Sequence, residues 1–134
     1  METAHLIQFQ HTGNELIGML NIAETGKQIP FEVKRVFWTH SVPNGTIRGN
    51  HAHKITEQLL IAVKGRIIVT TEKADGNIEK FELTNSTEGV YLPPNVWHTM
   101  AYFDDAVQLV FCSTLYREDD YLRNYEQFNE YYKS

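Results

Sequence analysis

Short runs of alternating polar and apolar residues recur along this chain, and turn-forming residues separate them. A two-residue repeat is typical of strands that bury one face. The predicted strands are residues 6–9, 15–22, 31–39, 51–63, 66–71, 78–83, 90–92, 96–103 and 106–113. Gly, Pro, Asn and Asp mark the connections, for example at Asp75-Gly76 and Pro93-Pro94. This spacing predicts an all-β fold, either a barrel or a sandwich.

The C-terminal tail has a different pattern. Aromatic residues recur there at helical spacing, at Tyr121, Tyr125, Phe128 and Tyr132. Acidic residues come before them, where the dipole of a helix favours negative charge. The tail is therefore predicted to form one amphipathic helix over about residues 116–132, packed on the barrel or across a subunit interface.

Length and charge exclude several classes of protein. A chain of 134 residues is expected to form one domain, here 1–134, with a hydrophobic core. The formal net charge is -5 and no run of Lys or Arg forms a basic stripe, so nucleic acid is not expected as a partner. The first residues lack a signal-peptide pattern, and no apolar stretch approaches the length of a membrane span. A cytoplasmic protein without a membrane partner is the prediction.

The single cysteine limits the covalent chemistry. Cys112 has no second cysteine with which to form an internal disulfide, and a four-cysteine zinc site is excluded. It lies in the apolar run 107–112, so it is expected to be buried and inert.

Two histidines mark one predicted strand as unusual. If residues 51–63 form a strand, the odd positions share a face. Those positions are His51, His53, Ile55, Glu57, Leu59, Ile61 and Val63. The even positions are more polar, so the odd face is expected to point into the core. Two imidazoles and a carboxylate on one buried face indicate a functional site more than a set of hydrogen-bonded core residues.

A third histidine joins this group, because His98 lies in a later predicted strand with Val96 and Met100 on its own face. The set His51, His53, Glu57 and His98 has the nitrogen and oxygen ligands of a first-row metal site.

Motif spacing resembles that of the cupins. Gly45, His51-Ala-His53 and Glu57 are similar to the first cupin motif, and Gly89, Pro93 and His98 are similar to the second. The second motif departs from the pattern, with Asn95 in place of the usual glycine and Tyr102 in place of the usual asparagine. The resemblance implies a jelly-roll-like β-barrel that is commonly dimeric.

A more specific resemblance covers residue 29 to the C-terminus. The segments are Ile29-Pro-Phe-Glu-Val-Lys-Arg35-Val36, Arg48-Gly-Asn-His51-Ala-His53-Lys54, Glu57-Gln58, Trp97-His98 and the tyrosine-rich stretch 116–128. Together they resemble the WxcM-like sugar 3,4-ketoisomerases. The resemblance implies a metal-independent and cofactor-independent isomerase that acts on dTDP-4-keto-6-deoxyglucose in bacterial surface-sugar (lipopolysaccharide O-antigen) pathways. It also implies that His51 and His53 are the catalytic residues.

The reaction fits these residue types. Moving a carbonyl from C4 to C3 requires loss of the C3 proton, an enediolate and protonation at C4, and histidine is a suited base near neutral pH. The predicted substrate-binding residues are Arg48, Gln58, Tyr91, Trp97 and His98. Arg48 is the candidate clamp on the diphosphate, since guanidinium groups donate bidentately. Glu57 is expected to hold an imidazole in one tautomer.

Other functions stay open at this point. A metal-dependent cupin enzyme would use the His51, His53, Glu57 and His98 set, and a non-catalytic cupin would bind the nucleotide sugar without reacting. A sugar 3,5-epimerase would leave the ketone at C4. The segment Gly13-Asn14-Glu15 leaves both C4 epimers of the product open.

Overall fold

A computed structural model describes residues 3–133 of the chain. It is mostly β, with one short C-terminal helix, as the sequence predicts. The strands are β1 (His5–Gln8), β2 (Gln10–Asn14), β3 (Gly18–Ile22), β4 (Arg35–Thr39), β5 (Ile47–His53), β6 (Gln58–Lys73), β7 (Ile78–Leu83), β8 (Glu88–Leu92), β9 (Val96–Cys112) and β10 (Tyr121–Leu122). A 3-10 turn spans Glu118–Asp120, and the helix α1 spans Tyr125–Lys133. No described helix is long and apolar enough to cross a membrane.

Two long antiparallel strands, β6 and β9, organise the sheet. The first part of β6 pairs with β8 and with the end of β9, and β4 and β1 extend this region as the first half-sheet. The second part of β6 pairs with β7 and with the start of β9, and β5 and β10 extend this region as the second half-sheet. The register shifts between Ala62 and Arg66, where the halves meet. At that bend Gly65 has φ 74°, and a Cβ there would lie 2.6 Å from the Ala106 Cα atom, so only glycine fits.

The main hydrophobic core contains the inward-facing residues of both half-sheets. Residues of the first half-sheet, such as Leu60 and Val110, form one cluster with Val69 and Met100 of the second. The jelly-roll-like arrangement thus buries one face of each half-sheet against the other.

The outer face of the first half-sheet is covered by the N-terminal part of the chain. Leu59 and Ile61 pack there against Phe9, Ile29 and Phe31. The prediction of one continuous buried face from residue 51 to 63 is therefore wrong. β5 ends at His53 and β6 starts at Gln58, so the alternation starts again after residues 54–57, and Leu60 and Ala62 face the main core instead.

The tail is less helical than predicted. The predicted helix begins at about residue 116, whereas α1 begins at Tyr125. Before it, Tyr121 and Leu122 pair with His53 and Ala52 of β5. This pairing takes up backbone groups that a longer helix would use itself. The helix packs on the outer face of the second half-sheet, where Phe128 is fully buried.

Candidate active site

A β-bulge in β5 determines which side chains face the interior. Arg48 is opposite Met100 and His51 is opposite His98, with the register shift between Gly49 and His51. Gly49 and Asn50 have φ values of 96° and 58°, the left-handed backbone that such a bulge uses. Residues that face each other across a strand pair lie on one side of the sheet. Arg48 and His51 therefore share the inner face, although strict alternation would separate them.

Three histidines meet on that face. The ring centroids of His51 and His98 are 4.6 Å apart, and that of His53 lies 5.2 Å from His51 and 6.0 Å from His98. One ring nitrogen from each lies within 4.8 Å of the others. His53 and His98 are each 2% exposed, and His51 is partly exposed. His51 is thus the member of the cluster that a small molecule reaches most directly.

The tail supplies a carboxylate to this cluster. Asp120 Oδ2 lies 2.9 Å from His53 Nδ1 and also accepts a hydrogen bond from the Thr56 hydroxyl. Its Oδ1 accepts hydrogen bonds from the backbone N–H groups of Lys54 and Ile55, at 3.1 Å and 2.7 Å. Asp120 therefore joins the tail to the loop that connects β5 and β6.

Further bonds hold the backbone of His53. Its carbonyl oxygen accepts hydrogen bonds from the Asn95 N–H and from the Tyr132 hydroxyl, each at 3.0 Å. Three separate segments of the chain thus hold this one histidine in place.

Burial keeps the imidazoles neutral. Loss of hydration, together with the charge of the neighbouring His53, lowers the pKa of His51 to about 4. Burial also lowers the pKa of His53, against the opposing hydrogen bond and charge of Asp120. The pKa of His98 is well below its ordinary value, because it is buried beside the other two. At neutral pH each imidazole can therefore accept a proton.

The pKa of the Asp120 carboxyl is also lowered, which favours its charged form. Its burial would raise the pKa, but the hydrogen bonds from Thr56, Ile55 and His53 together lower it. The carboxylate is ionised at neutral pH.

Aromatic and cationic side chains form the border of the cluster. The Tyr121 ring centroid lies 4.4 Å from that of His53, and the Arg123 guanidinium lies 4.1 Å from the centre of the Tyr121 ring. Arg123 is held by Glu118 through bonds of 2.6 Å and 2.9 Å. Arg35 lies 5.5 Å from the Tyr116 ring centre, and its buried Nε has no hydrogen-bond partner among the described residues. Because Glu118 already pairs with Arg123, Arg35 is the cation of this border that best suits an anionic ligand.

Two predicted site residues lie on the other side of the first half-sheet. Tyr91 is buried in the cluster with Leu59 and Phe9, and its hydroxyl donates to Glu57 Oε1 at 2.6 Å. The expectation that Glu57 orients an imidazole is wrong, because Asp120 has that contact. The sequence pattern placed Glu57 with the histidines only by extending the β5 alternation through the loop.

The remaining predicted substrate-binding residues lie partly on the outer face and partly on the inner face of the half-sheets. Trp97 packs on the outer face of the second half-sheet, with its ring 5.8 Å from that of Phe128. Gln58 is buried on the inner face, and its amide nitrogen lies 3.6 Å from Cys112 Sγ. Arg48 is near the Tyr102 hydroxyl, whose pKa is raised to about 12 by burial against the opposing effect of this arginine. The structure thus brings His98, Gln58 and Arg48, but not Tyr91 or Trp97, to the inner face.

The three imidazoles also have the chemistry of a metal-ligand set. His51, His53 and His98 have the nitrogen ligands and the neutral charge state that zinc or another first-row ion requires. The contact from His53 to Asp120 is also common behind metal-bound histidines. Glu57 does not join them, so the four-ligand set predicted from the sequence is reduced to three imidazoles.

Comparison with known proteins identifies the family. The family model for FdtA, described as WxcM-like, C-terminal, matches residues 2–133. The chain belongs to this WxcM-like family. The resemblance seen in the sequence motifs is thereby confirmed.

Individual relatives of this WxcM-like chain have named activities. TDP-4-oxo-6-deoxy-alpha-D-glucose-3,4-oxoisomerase from Aneurinibacillus thermoaerophilus is 40% identical over 116 residues, which is 85% of this chain and 82% of the relative. QdtA, a sugar 3,4-ketoisomerase from Thermoanaerobacterium thermosaccharolyticum, was solved with TDP. It is 34% identical, with a TM-score of 0.89 over 97% of this chain and 94% of QdtA. A 3,4-ketoisomerase from Helicobacter canadensis is 30% identical, with a TM-score of 0.91 over 98% of both chains.

Sequence reasoning missed three residues of the site. The sequence pattern makes Asp120 an acid at the start of a helix and Tyr121 part of the aromatic stripe of that helix, and it gives Arg35 no role in a site. All three lie in segments that carry the family resemblance. Only the fold shows that these segments converge on the histidines.

Proposed function

We propose that this chain is a sugar 3,4-ketoisomerase that converts TDP-4-keto-6-deoxyglucose into a TDP-3-keto-6-deoxyhexose. The observation that carries the proposal is the cluster of three neutral imidazoles on the inner face of a WxcM-like fold. Support comes from the 40% identical relative, which is named for this reaction. A histidine-to-asparagine variant of QdtA, 32% identical to this chain, was also solved with TDP-4-keto-6-deoxyglucose.

The isomerisation moves two protons. The hydrogen on C3 leaves and a hydrogen arrives at C4, while the O3 hydroxyl loses its proton and O4 gains one. The C4 ketone acidifies the C3 hydrogen, so a neutral base is sufficient when the enediolate is stabilised.

His51 is the proposed base for the carbon-bound proton. It is neutral at pH 7 and is more exposed than the other two imidazoles. After taking the C3 proton it becomes a cation in a buried site, where its positive charge is unfavourable. The proton therefore returns readily, and delivery to C4 completes the isomerisation.

His53 is the proposed partner for the oxygen-bound proton. Its Nε2 is buried, lacks a hydrogen-bond partner among the described residues and lies beside His51. Such a group can accept the O3 proton and pass it to O4.

Cationic residues are proposed to bind the anionic parts of the substrate. Arg48 lies on the inner face beyond His51, and we assign to it the diphosphate contact predicted from the sequence. Arg35 and Arg123 lie on the border of the cluster, and both lower the pKa of His53 by their charge. Gln58 and His98 are kept as contacts to the sugar, while Tyr91 and Trp97 are left out because they face away.

Incubation with TDP-4-keto-6-deoxyglucose in D₂O, followed by NMR of the sugar ring, tests the proposal. The expected result is a 3-keto product, with deuterium at C4 to the extent that the proton held by His51 exchanges with solvent before it is delivered. Deuterium at C3 and C5 with the ketone still at C4 would indicate a 3,5-epimerase instead. A bound substrate without any exchange would indicate a non-catalytic binding protein.

Metal dependence is the second candidate, because three imidazoles lie within ligand distance of one another. A metal bound there would polarise the C4 carbonyl. Turnover by protein treated with a chelator, with metal content measured in the same sample, separates the two possibilities. We expect turnover to persist at a metal content far below one ion per chain. Loss of turnover on chelation, with recovery on adding a metal, would favour the metal enzyme.

The assembly is proposed to be a homodimer in the bacterial cytoplasm, acting in surface-polysaccharide sugar synthesis. Exposed apolar side chains on the hairpin of β2 and β3 support a dimer, since such patches are uncommon on monomers. They are Leu16, Ile17, Met19 and Leu20. Light scattering on the purified chain tests the dimer, and a monomer at micromolar concentration would contradict it.

A further inference from the structure

Asp120 is the one carboxylate in contact with the histidine cluster among residues 3–133. It comes from the tail and lies 67 positions from His53 in the sequence. We infer that Asp120 is a positioning residue: it holds His53 in the tautomer with hydrogen on Nδ1, so that Nε2 faces His51 and His98 as a proton acceptor. The consequence for catalysis rests on the proposed function, whereas the tautomer follows from the contacts alone.

The hydrogen bonds of the Asp120 carboxylate allow only one placement of the protons. Oδ1 accepts from the N–H groups of Lys54 and Ile55. Oδ2 lies against the Thr56 hydroxyl and His53 Nδ1. An ionised carboxylate only accepts hydrogen bonds, and each of its oxygens has two lone pairs. Both oxygens are therefore fully used, and His53 Nδ1 must be the donor.

The other nitrogen of His53 is then free of hydrogen when the ring is neutral. His53 Nε2 is buried and has no hydrogen-bond partner within the described part of the chain. It faces the cluster in which His51 lies 5.2 Å away between ring centres. In the opposite tautomer Nε2 would carry a hydrogen and could not accept the hydroxyl proton of the sugar.

Asp120 also has a structural role, and the test must separate it from the effect on the His53 tautomer. It joins the tail to the loop at residues 54–56, so its loss to alanine would remove four hydrogen bonds at once. Asp120→Asn is a sharper change, because the amide oxygen can still accept from the Lys54 and Ile55 N–H groups. The amide nitrogen would then donate to His53 Nδ1, and the Thr56 hydroxyl would donate to Thr114, which is already 2.7 Å away.

Asp120→Asn is therefore expected to invert the His53 tautomer while the fold is kept. The measurement is ¹⁵N NMR of histidine-labelled protein at pH 7, with the His53 signals assigned by their loss in His53→Asn. Wild-type protein should show hydrogen on Nδ1 and Asp120→Asn hydrogen on Nε2. Wild-type protein with hydrogen on Nε2, or an unchanged tautomer in folded Asp120→Asn, would overturn the inference.

Kinetics test the consequence for turnover. Asp120→Asn should lower kcat by about 10²- to 10⁴-fold, the range for loss of acid–base catalysis, with TDP affinity changed less than threefold. Asp119→Asn, which removes the same charge from an exposed neighbour paired with Arg117, should change neither value. Retained kcat in Asp120→Asn would overturn the positioning role.

The wild-type tautomer can be measured even if Asp120→Asn does not fold. It is also independent of the substrate. A wild-type protein that shows the Nδ1–H tautomer but no turnover of TDP-4-keto-6-deoxyglucose would leave the positioning of His53 in place and remove the proposed reaction.

Discussion

At the scale of single residues, burial determines what the histidines can do. An exposed imidazole is close to half protonated near pH 6.5, but loss of hydration lowers the pKa of all three histidines, so they stay neutral at a lower pH than an exposed ring does. A neutral ring keeps the lone pair that accepts a proton, while the lowered pKa makes it a weaker base than an exposed imidazole. The protonated form is unstable in the same site, which favours return of the proton to the substrate.

His51→Asn tests the base directly. Asparagine keeps a polar group of similar reach but cannot take a proton, so kcat should fall by about 10²- to 10⁴-fold. The circular dichroism spectrum and TDP affinity should stay close to those of the wild-type protein. His11→Asn, an exposed position in β2, is the matched control and should keep full turnover. If His51→Asn kept the wild-type kcat, His51 would not be the base.

The residue scale is also where sequence reasoning was least complete. The pair His51 and His53 could be selected because two imidazoles close together in a predicted strand are unusual. Glu57 was grouped with them because alternation was extended across a loop. Asp120 could not be connected with them, since nothing in a linear sequence indicates that the tail crosses the end of β5.

At the scale of elements, the bulge in β5 and the helix α1 keep the site in place. The bulge turns Arg48 and His51 to the same face of the second half-sheet. The helix covers the opposite face, where Phe128 contacts the side chains of Ala52 and Leu122. The histidines thus lie on a strand segment that is packed on one side and lines the interior on the other.

Gly49→Ala tests the bulge. The residue has a left-handed backbone, and an added Cβ would lie 3.0 Å from the His98 carbonyl oxygen and 3.3 Å from the Met100 side chain. We expect the free energy of unfolding to fall by about 1–3 kcal/mol and kcat to fall with it. Gly76→Ala is the control, because its φ of 90° is similar but nothing lies within 4 Å of an added Cβ. It should lose less stability and keep kcat. Equal effects in the two variants would mean that backbone strain alone, without the close contact, explains the loss.

Phe128→Ala tests the support from the helix. The side chain is 0% exposed, and truncating a buried phenylalanine costs about 3–5 kcal/mol of unfolding free energy. Urea denaturation gives the value. Tyr131→Ala, at a half-exposed position of the same helix, should cost much less. A loss below about 1 kcal/mol for Phe128→Ala would contradict the packing role of α1.

At the scale of the whole molecule, the buried histidines connect stability to pH. Unfolding exposes each ring to water, where its pKa returns to about 6.5. The folded chain holds them with lowered pKa values, and that of His51 is about 4. Below pH 6.5 the unfolded chain therefore binds protons that the folded chain does not, and acid favours unfolding.

Urea denaturation at several pH values measures this effect. The free energy of unfolding should be highest above pH 6.5 and should fall towards pH 4, with His51 contributing about 1.4 kcal/mol per pH unit. The lowered pKa of Asp120 adds a further loss at lower pH, when this carboxylate becomes protonated. His51→Asn should reduce the slope of unfolding free energy against pH between pH 6 and 5 by about 1.4 kcal/mol per pH unit, the contribution of one histidine. A pH-independent stability over this range would argue against burial as the cause of the neutral imidazoles.

The sequence alone was sufficient for the fold class, the family and the two central histidines. Strand periodicity, turn residues and short motifs are local properties, and each is visible within a window of about ten residues. The tertiary structure decided the rest: the position of Arg48, the separation of Tyr91 and Trp97 from the cluster, and the contact of Asp120 with His53. These depend on a bulge, on a loop that interrupts two strands and on a tail that crosses a sheet edge. Such contacts join residues far apart in the chain, and the free energy that selects them comes from packing of the whole fold, which no local pattern contains.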